Sequence, residues 1–309
     1  MSRQAAHALD LREGERWTLA QRAKNDVIYA LVRVALAIAS LASAPTLRRV
    51  GRGLGWLAHL VLPGERRRAR ANVRRVLPGS SEAERLSIVR DTFLELGEHL
   101  GDAVASLRAG SEIALIELPA TERAKLDEAV RSGRGVLFVS AHLGPWERVA
   151  ATIVAAGYPF TTIARESYDP RLTSLYEKLR GGRGVRAIYR GEARAPVAMV
   201  RTLRKGELLG VPMDLRSRVT SIDVPFLGLA ASTPVGPARI ALRTGACVVV
   251  ATIAPTPSGT LALTVTPIAT HDLLPGAAGE LALTTRLNDE LSLRILALPR
   301  AWPWMHPRW

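Results

Sequence analysis

From about residue 135 onward, the chain alternates short apolar runs with amphipathic segments, and this alternation restricts the fold more than any other feature. The apolar runs, bounded by glycine, proline or polar turns, predict strands near residues 135–140, 160–164, 185–190, 207–212, 221–226, 247–254 and 261–268. The segments between and after them predict helices near residues 145–156, 170–181, 194–205, 234–244 and 279–298. Alternating strands and helices form α/β folds, so we expect a mixed, mostly parallel sheet flanked by helices.

Two more helices are predicted ahead of the first strand. Ser81 and Glu84 form a capping box, and apolar residues at three- or four-residue spacing extend this helix to about Arg108. Another helix is expected from about Thr121 to Ser132, just before a glycine.

The N-terminal region differs in character from the rest of the chain. Residues 1–26 are polar, and we expect a flexible or loosely helical arm. Residues 27–44 are almost continuously apolar, interrupted by Arg33, and as a helix they would span about 27 Å, close to a hydrocarbon core of about 30 Å. We therefore expect an N-terminal membrane-associated helix that spans the bilayer or lies in its interface; a buried helix is the alternative. The polar arm ahead of it does not fit a cleaved signal peptide.

Arginines crowd the region after this apolar segment. A second apolar stretch, residues 54–62 with Trp56, separates them into two groups: Arg48, Arg49 and Arg52, then Arg66, Arg67, Arg68, Arg70, Arg74 and Arg75. Such clusters bind anionic lipid headgroups, which predicts an anionic membrane surface as a partner and a cytoplasmic position for the following domain. The net charge of +14 would also suit nucleic acid, but aromatic residues make up only 5% of the chain, so we expect no nucleic-acid partner.

Composition and cysteine content narrow the class of protein. Hydrophobic residues make up 48% of the chain and the mean hydropathy is +0.10, which excludes disorder of the whole chain. The single cysteine, Cys247, excludes an intrachain disulfide and favours a reducing compartment. No Cys-x2-Cys pair or His/Cys cluster indicates a metal site. We divide the chain into a polar arm at 1–26, a membrane-anchoring helix with a basic amphipathic region at 27–78, and a catalytic domain at 79–309.

The segment from Gly135 to Glu147 contains the main catalytic candidates. Its strand delivers His142 at the C-terminal end, where ligands bind in α/β sheets, and Gly144 and Pro145 then end the strand and begin a helix. Glu147 follows His142 by five positions, and a loop-then-helix path can bring the two together. His142 would then be a neutral general base oriented by Glu147. The alternative is a core histidine beside a surface glutamate.

Two later strand ends carry further candidates. Arg165 follows strand 160–164 and could hold a phosphate or a developing negative charge, or could be an ordinary surface arginine. Asp214 follows strand 207–212 and could align the site, bind a substrate hydroxyl or cap a turn.

Three segments near the C-terminus complete the candidate set. Phe226 could line an apolar channel and Gly228 could allow close approach of the backbone, although ordinary core and turn positions are the alternatives. Residues 232–234 are expected to cap the following helix. The tail 301–309 is rich in tryptophan, a residue favoured at membrane interfaces.

These blocks together resemble the late acyltransferases of lipid A biosynthesis (the lauroyl and myristoyl acyltransferases), within the lysophospholipid acyltransferase superfamily. The resemblance covers roughly residues 27–309, in the family's order and spacing. It is carried by Arg67-Arg68-Ala-Arg70-Ala-Asn72-Val, the His-x4-Glu block His142–Glu147, Ile163-Ala-Arg165, Asp214, Val224-Pro-Phe-Leu-Gly228 and the tail Trp-Pro-Trp-Met-His-Pro-Arg-Trp.

The resemblance implies a glycerolipid acyltransferase-like fold and transfer of a fatty acyl chain from acyl carrier protein or acyl-CoA to a lipid hydroxyl. The family's catalytic pair falls on His142 and Glu147, and Arg165 or a backbone N–H near the start of helix 145–156 would stabilise the oxyanion. Substrate contacts would fall on Arg165, Asp214, Phe226 and Gly228. No cofactor or metal is implied, only the acyl thioester as co-substrate, and the expected location is the cytoplasmic side of a bacterial inner membrane.

Three departures from the family's pattern bear on the acceptor. Pro145 stands where family members commonly have asparagine, Leu215 stands where they often have glutamine, and residues 230–233 match loosely. A lipid A precursor is the favoured acceptor. A phosphatidylinositol mannoside-like glycolipid or an aminolipid is the alternative acceptor. The alternative function, of a different class, is that of a non-catalytic, basic membrane-binding protein.

Overall fold

The computed structural model describes residues 17–107, 115–217 and 219–309. Residues 1–16 of the predicted arm and the predicted helix end at Arg108 therefore lie outside the described residues. The described strands are β1 Val136–Ser140, β2 Phe160–Ala164, β3 Arg186–Tyr189, β4 Leu208–Pro212, β5 Ser221–Phe226, β6 Leu229–Pro234, β7 Cys247–Pro255 and β8 Leu261–Ile268.

Six of these strands form one sheet in the order β3–β2–β4–β1–β7–β8. Only β8 is antiparallel to its neighbour; the pairs β3–β2, β2–β4, β4–β1 and β1–β7 are parallel. The predicted mostly parallel sheet is confirmed. β1 lies inside it with Val136 to Val139 fully buried, which explains why its sequence is a continuous apolar run and not an alternating one.

The predicted strand 221–226 does not join this sheet. It forms a separate antiparallel hairpin with β6, a strand that the sequence did not indicate. The turn between them has two central residues, Leu227 (φ 52°) and Gly228 (φ 78°), both in the left-handed region that two-residue hairpin turns require. Residues 232–234, expected to cap a helix, belong to β6, and no side chain caps the helix that follows.

Ten α-helices are described, followed by a short 3-10 helix at Pro299–Ala301. They are α1 Leu19–Ala39, α2 Ala44–Val61, α3 Pro63–Val76, α4 Glu82–Ala105, α5 Ala120–Arg131, α6 Trp146–Ala155, α7 Pro170–Gly181, α8 Ala195–Arg204, α9 Gly236–Thr244 and α10 Ala277–Ala297. The capping box that begins α4 is present, because Ser81 Oγ accepts from the Glu84 N–H and Glu84 Oε2 accepts from the Ser81 N–H. Each helix predicted after residue 79 is present: α7 has the predicted ends, and the ends of the others differ by one to three residues.

The N-terminal segment differs from the prediction. Residues 27–44, expected to form one membrane helix, are divided by a turn at 40–42 between α1 and the first residue of α2. Within the described residues, no helix combines the length and the apolar character needed to cross a bilayer. α1 and α2 nevertheless leave many large apolar side chains exposed: Leu19, Val27, Ile28, Leu31, Val34, Ile38, Val50, Leu54, Trp56, Leu57, Leu60 and Val61.

α2 packs against α4 through glycines on both helices. Gly51 and Gly55 of α2 face Gly97 and Gly101 of α4, and each glycine would place an added Cβ about 2 Å from a backbone oxygen of the other helix. An added Cβ on Gly55, for example, would lie 2.2 Å from Phe93 O. This spacing tolerates no side chain, so α2 is held backbone to backbone against a helix of the predicted catalytic domain.

Two tryptophans of the C-terminal tail are buried, which corrects the interpretation of these side chains as interfacial. Trp302 and Trp304 are both 0% exposed, and their rings stack edge to face with centroids 4.8 Å apart. Asn72 of α3 ties the tail down, because its Nδ2 donates to the carbonyl oxygens of Trp304 (2.9 Å) and His306 (3.1 Å). The tryptophans are therefore core residues under the carboxyl edge of the sheet.

Candidate active site

The register of two neighbouring strands brings His142 and Asp214 together. Ser140, the last residue of β1, lies opposite Pro212, the last residue of β4. His142 and Asp214 each stand two residues beyond these ends, so the parallel strands deliver them side by side at the carboxyl edge of the sheet. This edge is where the sequence predicted the site.

The two residues form a tightly bonded pair. His142 Nδ1 lies 2.9 Å from Asp214 Oδ1, and the His142 backbone N–H donates to Asp214 Oδ2 at 2.9 Å. An ionised carboxylate only accepts, so the ring carries its proton on Nδ1. Nε2 then holds a free lone pair, and it has no hydrogen-bond partner among the described residues. The geometry is that of a base held in one tautomer, with its reactive nitrogen uncommitted.

The surroundings tune both members of the pair. Burial lowers the pKa of His142, but the charge and hydrogen bond of Asp214 more than offset it, and the pKa lies above its ordinary value of 6.5. Asp214 is 0% exposed, and burial raises the pKa of its carboxyl group. His142 and the hydrogen bond from the Trp302 indole more than offset this effect, so the pKa lies below its ordinary value. Asp214 therefore stays ionised beside the base.

Glu147 does not orient the base, contrary to the expected His142–Glu147 pairing. Its carboxylate accepts two bonds from Arg180 of α7, from Nη2 at 2.6 Å and from Nε at 3.2 Å. The guanidinium thus takes the bidentate geometry that a carboxylate prefers. Glu147 still contributes through space, because its charge raises the pKa of His142 while that of Arg180 lowers it.

The turn between the base and α6 has a defined shape. Pro145 lies at φ −80° and ψ 62°, an inverse γ-turn in which the Trp146 N–H donates to Gly144 O at 2.9 Å. Gly144 has φ 61°, in the left-handed region that favours glycine, and an added Cβ would lie 2.2 Å from Ile253 Cδ1, so that side chain would have to move. The N–H groups of Gly144 and Trp146 are both bonded, whereas that of Glu147 has no acceptor among the described residues. Glu147 N–H is thus the backbone donor available to an oxyanion near this helix start.

A cavity of about 1150 Å3 opens beside the pair. Apolar side chains from two sets of helices line it: Leu96, Leu100 and Ala103 of α4, and Pro196, Met199, Val200, Pro237 and Ile240 of α8 and α9. Its described lining also contains eight arginines and only three carboxylates. The arginines are Arg148, Arg165, Arg180, Arg183, Arg190, Arg216, Arg239 and Arg243.

Arg165 lies where the sequence predicted it, directly after β2 and in the lining of this cavity. The guanidinium groups of Arg165, Arg216 and Arg243 have no ion-pair partner and no hydrogen-bond partner within the part of the chain that the structure describes. Burial and the like charge of Arg165 both lower the pKa of Arg190, which also lines the cavity. Uncompensated positive charge therefore gathers at the cavity.

Phe226 and Gly228, the other predicted substrate contacts, are not part of the described lining of this cavity. Phe226 is 1% exposed and packs against Trp302 and Trp309 in the tail, with the Arg308 guanidinium 4.5 Å above its ring. Gly228 occupies the β5–β6 turn. They are packing and turn positions, the alternatives that their sequence left open.

Sequence reasoning missed the donor on the far side of Asp214. Trp302 Nε1 donates to Asp214 Oδ2 at 2.8 Å, although the two residues are 88 positions apart. The tryptophan-rich tail is part of the family resemblance, but its composition favours a membrane interface and does not indicate a hydrogen bond to Asp214. Arg308 was also missed: it is 1% exposed and donates to Thr233 Oγ1 at 2.8 Å.

Comparison with known proteins finds similar sequences among bacterial acyltransferases. Similar proteins include the phosphatidylinositol mannoside acyltransferases of Mycobacterium tuberculosis (strain CDC 1551 / Oshkosh), 26% identical over 202 residues, and of Mycolicibacterium smegmatis, 26% identical over 207 residues. The matches cover 60% and 65% of this chain, and they span 57% and 64% of the length of those relatives. A family profile, "Bacterial lipid A biosynthesis acyltransferase", matches residues 19–309. The chain therefore belongs to the bacterial lipid A biosynthesis acyltransferase family.

Proposed function

We propose that this chain is an O-acyltransferase that moves a fatty acyl group from a thioester to a hydroxyl of a phosphate-bearing glycolipid at a membrane surface. The observation that carries the proposal is the His142–Asp214 pair: His142 lines the large cavity with Nε2 free, and Asp214 is buried behind it. A buried carboxylate that accepts three N–H bonds and fixes one histidine tautomer has a clear use in proton transfer. A binding protein without catalysis has no need of it.

The reaction follows from these positions. The acceptor hydroxyl donates to His142 Nε2, and its proton moves to Nε2 as the oxygen attacks the thioester carbonyl carbon. The carbonyl oxygen becomes an oxyanion, for which Arg165 and the Glu147 N–H are the candidate donors. Collapse of the tetrahedral intermediate breaks the carbon–sulfur bond, and the imidazolium gives its proton to the departing thiolate. The products are an ester and a free thiol, and His142 is neutral again.

The cavity lining favours substrates with both acyl chains and phosphates. Its apolar helix surfaces suit alkyl chains, and its eight arginines against three carboxylates suit phosphate groups. Acyl-CoA and the phosphopantetheine arm of acyl carrier protein both carry a phosphate at the end of the pantetheine arm opposite the thioester, so either is a suitable donor. We propose a phosphatidylinositol mannoside-like glycolipid as the first acceptor to test, because the similar proteins named above act on that class, and a lipid A precursor as the second.

We also propose that α1 and α2 lie on an anionic membrane, with the catalytic domain on the cytoplasmic side of a bacterial inner membrane. Their exposed apolar residues include Trp56, 53% exposed, and Leu31, 63% exposed. α3 follows with arginines at 66, 67, 68, 70, 74 and 75. Apolar side chains beside an arginine-rich helix suit the interface of an anionic bilayer.

Vesicle flotation tests this surface. Leu57→Glu and Leu60→Glu together should reduce binding to vesicles that contain phosphatidylglycerol, because both residues are exposed on α2. Leu293→Glu is the matched control, since Leu293 is an exposed leucine on α10. Equal flotation of all three proteins would contradict the proposed orientation.

The reaction itself is tested with purified protein, acyl-CoA or acyl carrier protein, and vesicles that contain each glycolipid in turn. Lipid mass spectrometry should find one added acyl group on the true acceptor. His142→Ala should abolish the product, while His271→Ala, which changes an exposed histidine outside the cavity lining, should not. Product formation by His142→Ala at the wild-type rate would overturn the assignment of the base.

A further inference from the structure

The tail that runs from the short 3-10 helix to residue 309 contacts two groups that adjoin the base. The Gly144 N–H, in the turn that follows His142, donates to Ala301 O at 2.9 Å. One residue later, Trp302 Nε1 donates to Asp214 Oδ2 at 2.8 Å. The tail therefore contacts both the turn after the base and the carboxylate that orients it.

The indole of Trp302 is held from several sides. Its ring stacks edge to face on Trp304 at 4.8 Å and tilts against Phe226 at 5.8 Å. The segment around it is fixed by Asn72, which bonds two tail carbonyls, and by Arg308, which bonds Thr233. A side chain that is 0% exposed and packed in this way cannot turn its N–H elsewhere.

The two carboxylate oxygens of Asp214 accept different numbers of hydrogen bonds. Oδ2 accepts from the Trp302 indole and from the His142 backbone N–H, while the His142 ring is the single partner of Oδ1 among the described residues. Two donors on Oδ2, from two different segments, fix the rotation of the carboxylate. Oδ1 is then left in line with Nδ1.

We propose that Trp302 is a positioning residue, whose indole N–H holds Asp214 so that Oδ1 keeps the His142 proton on Nδ1. This role rests on the proposed acyl transfer, because it supplies the tautomer that transfer requires. Trp302 does not line the cavity, so it acts through Asp214 and not on the substrate.

Trp302→Phe tests the role, and Trp304→Phe is its matched control. Both substitutions remove one indole N–H from the same buried pair of rings, but the N–H of Trp304 donates to Pro299 O at 2.7 Å and not to Asp214. Both should lower thermal stability. Only Trp302→Phe should shift the proton of neutral His142 from Nδ1 toward Nε2, measured by the 15N shifts of labelled histidine with the signal assigned from His142→Gln.

The outcomes separate this role from general packing. We expect roughly tenfold slower acyl transfer and a mixed tautomer in Trp302→Phe, with the wild-type tautomer in Trp304→Phe. The same tautomer in all three proteins, or equal changes in both variants, would overturn the role. If Trp302→Phe does not fold, benzothienylalanine placed at residue 302 by amber suppression keeps the bicyclic shape and removes only the N–H. The tautomer is measured without any substrate, so the result for Trp302 does not depend on the outcome of the acyl-transfer assay.

Discussion

Replacement of Asp214 by asparagine tests which carboxylate orients the base. The amide has nearly the same shape, but only one oxygen. Two N–H groups, from Trp302 and the His142 backbone, converge on the Oδ2 position, so the amide oxygen should occupy it. The amide NH2 then faces His142 Nδ1 and requires a lone pair there. The ring must carry its proton on Nε2, where the reaction needs the free lone pair.

The size of the effect follows from this change of tautomer. A serine-hydrolase triad with the same aspartate-to-asparagine change loses about 10^4-fold in kcat, equivalent to about 5 kcal/mol of transition-state stabilisation. We expect a loss of similar size in Asp214→Asn. Glu147→Gln should cost about tenfold, because Glu147 is bonded to Arg180 and influences His142 only through its charge.

The assay compares initial rates of thiol release from acyl-CoA in the presence of acceptor vesicles, with the acylated lipid quantified by mass spectrometry. Thermal denaturation of both variants checks that each is folded. A Glu147→Gln variant that loses more than Asp214→Asn would refute the argument, because Glu147 would then be the orienting carboxylate despite its bond to Arg180.

Three further predictions use other parts of the structure. The value of kcat/KM should rise with pH through the raised pKa of His142, because only the neutral ring accepts a proton, and an acid limb centred below 6.5 would contradict that raised pKa. Gly55→Ala should lower the free energy of unfolding by about 1–3 kcal/mol, since its methyl group meets the backbone of α4. Gly53→Ala, on the same helix but with no atom near the added methyl group, should leave the free energy of unfolding unchanged or raise it by up to about 1 kcal/mol. Chemical denaturation measures both variants, and an equal loss of free energy of unfolding in the two would disprove the close contact. Arg165→Ala should slow acyl transfer by about 10^2-fold while leaving thermal stability unchanged, and wild-type rates would remove Arg165 from the reaction.

The sheet and the edge that carries the site could be predicted because they depend on local patterns. Buried parallel strands are continuous apolar runs, and glycine, proline and polar residues mark their ends. His142, Arg165 and Asp214 each follow such a run directly, so their common edge follows from the parallel arrangement alone.

The partner of His142 could not be predicted in the same way, because it depends on the order of the strands. β1 lies between β4 and β7, and only this order places Asp214 next to the base. Glu147 was the nearer carboxylate in sequence, and Arg180, which bonds it, lies 33 positions away on another helix. Periodicity carries no information about either contact.

The tail and the N-terminal helices show a second limit. Tryptophan suits both a membrane interface and a buried core with a hydrogen-bond acceptor, so composition alone could not decide for Trp302. Its acceptor, Asp214, is distant in sequence. The glycines of α2 and α4 were likewise uninformative individually, because their meaning lies in the match between two helices.

The bond between Trp302 and Asp214 has a consequence for the timing of biosynthesis. A ribosome that adds about 5–20 residues per second needs roughly 4–18 s to make the 88 residues that separate these two positions. During that interval a nascent chain already carries His142 and Asp214 but lacks the indole donor that meets the carboxylate. A chain released early, before residue 302, would keep most of the sheet and still lack a completed base. The complete network of His142, Asp214 and Trp302 would therefore form late in synthesis, well after α1 and α2 have been made.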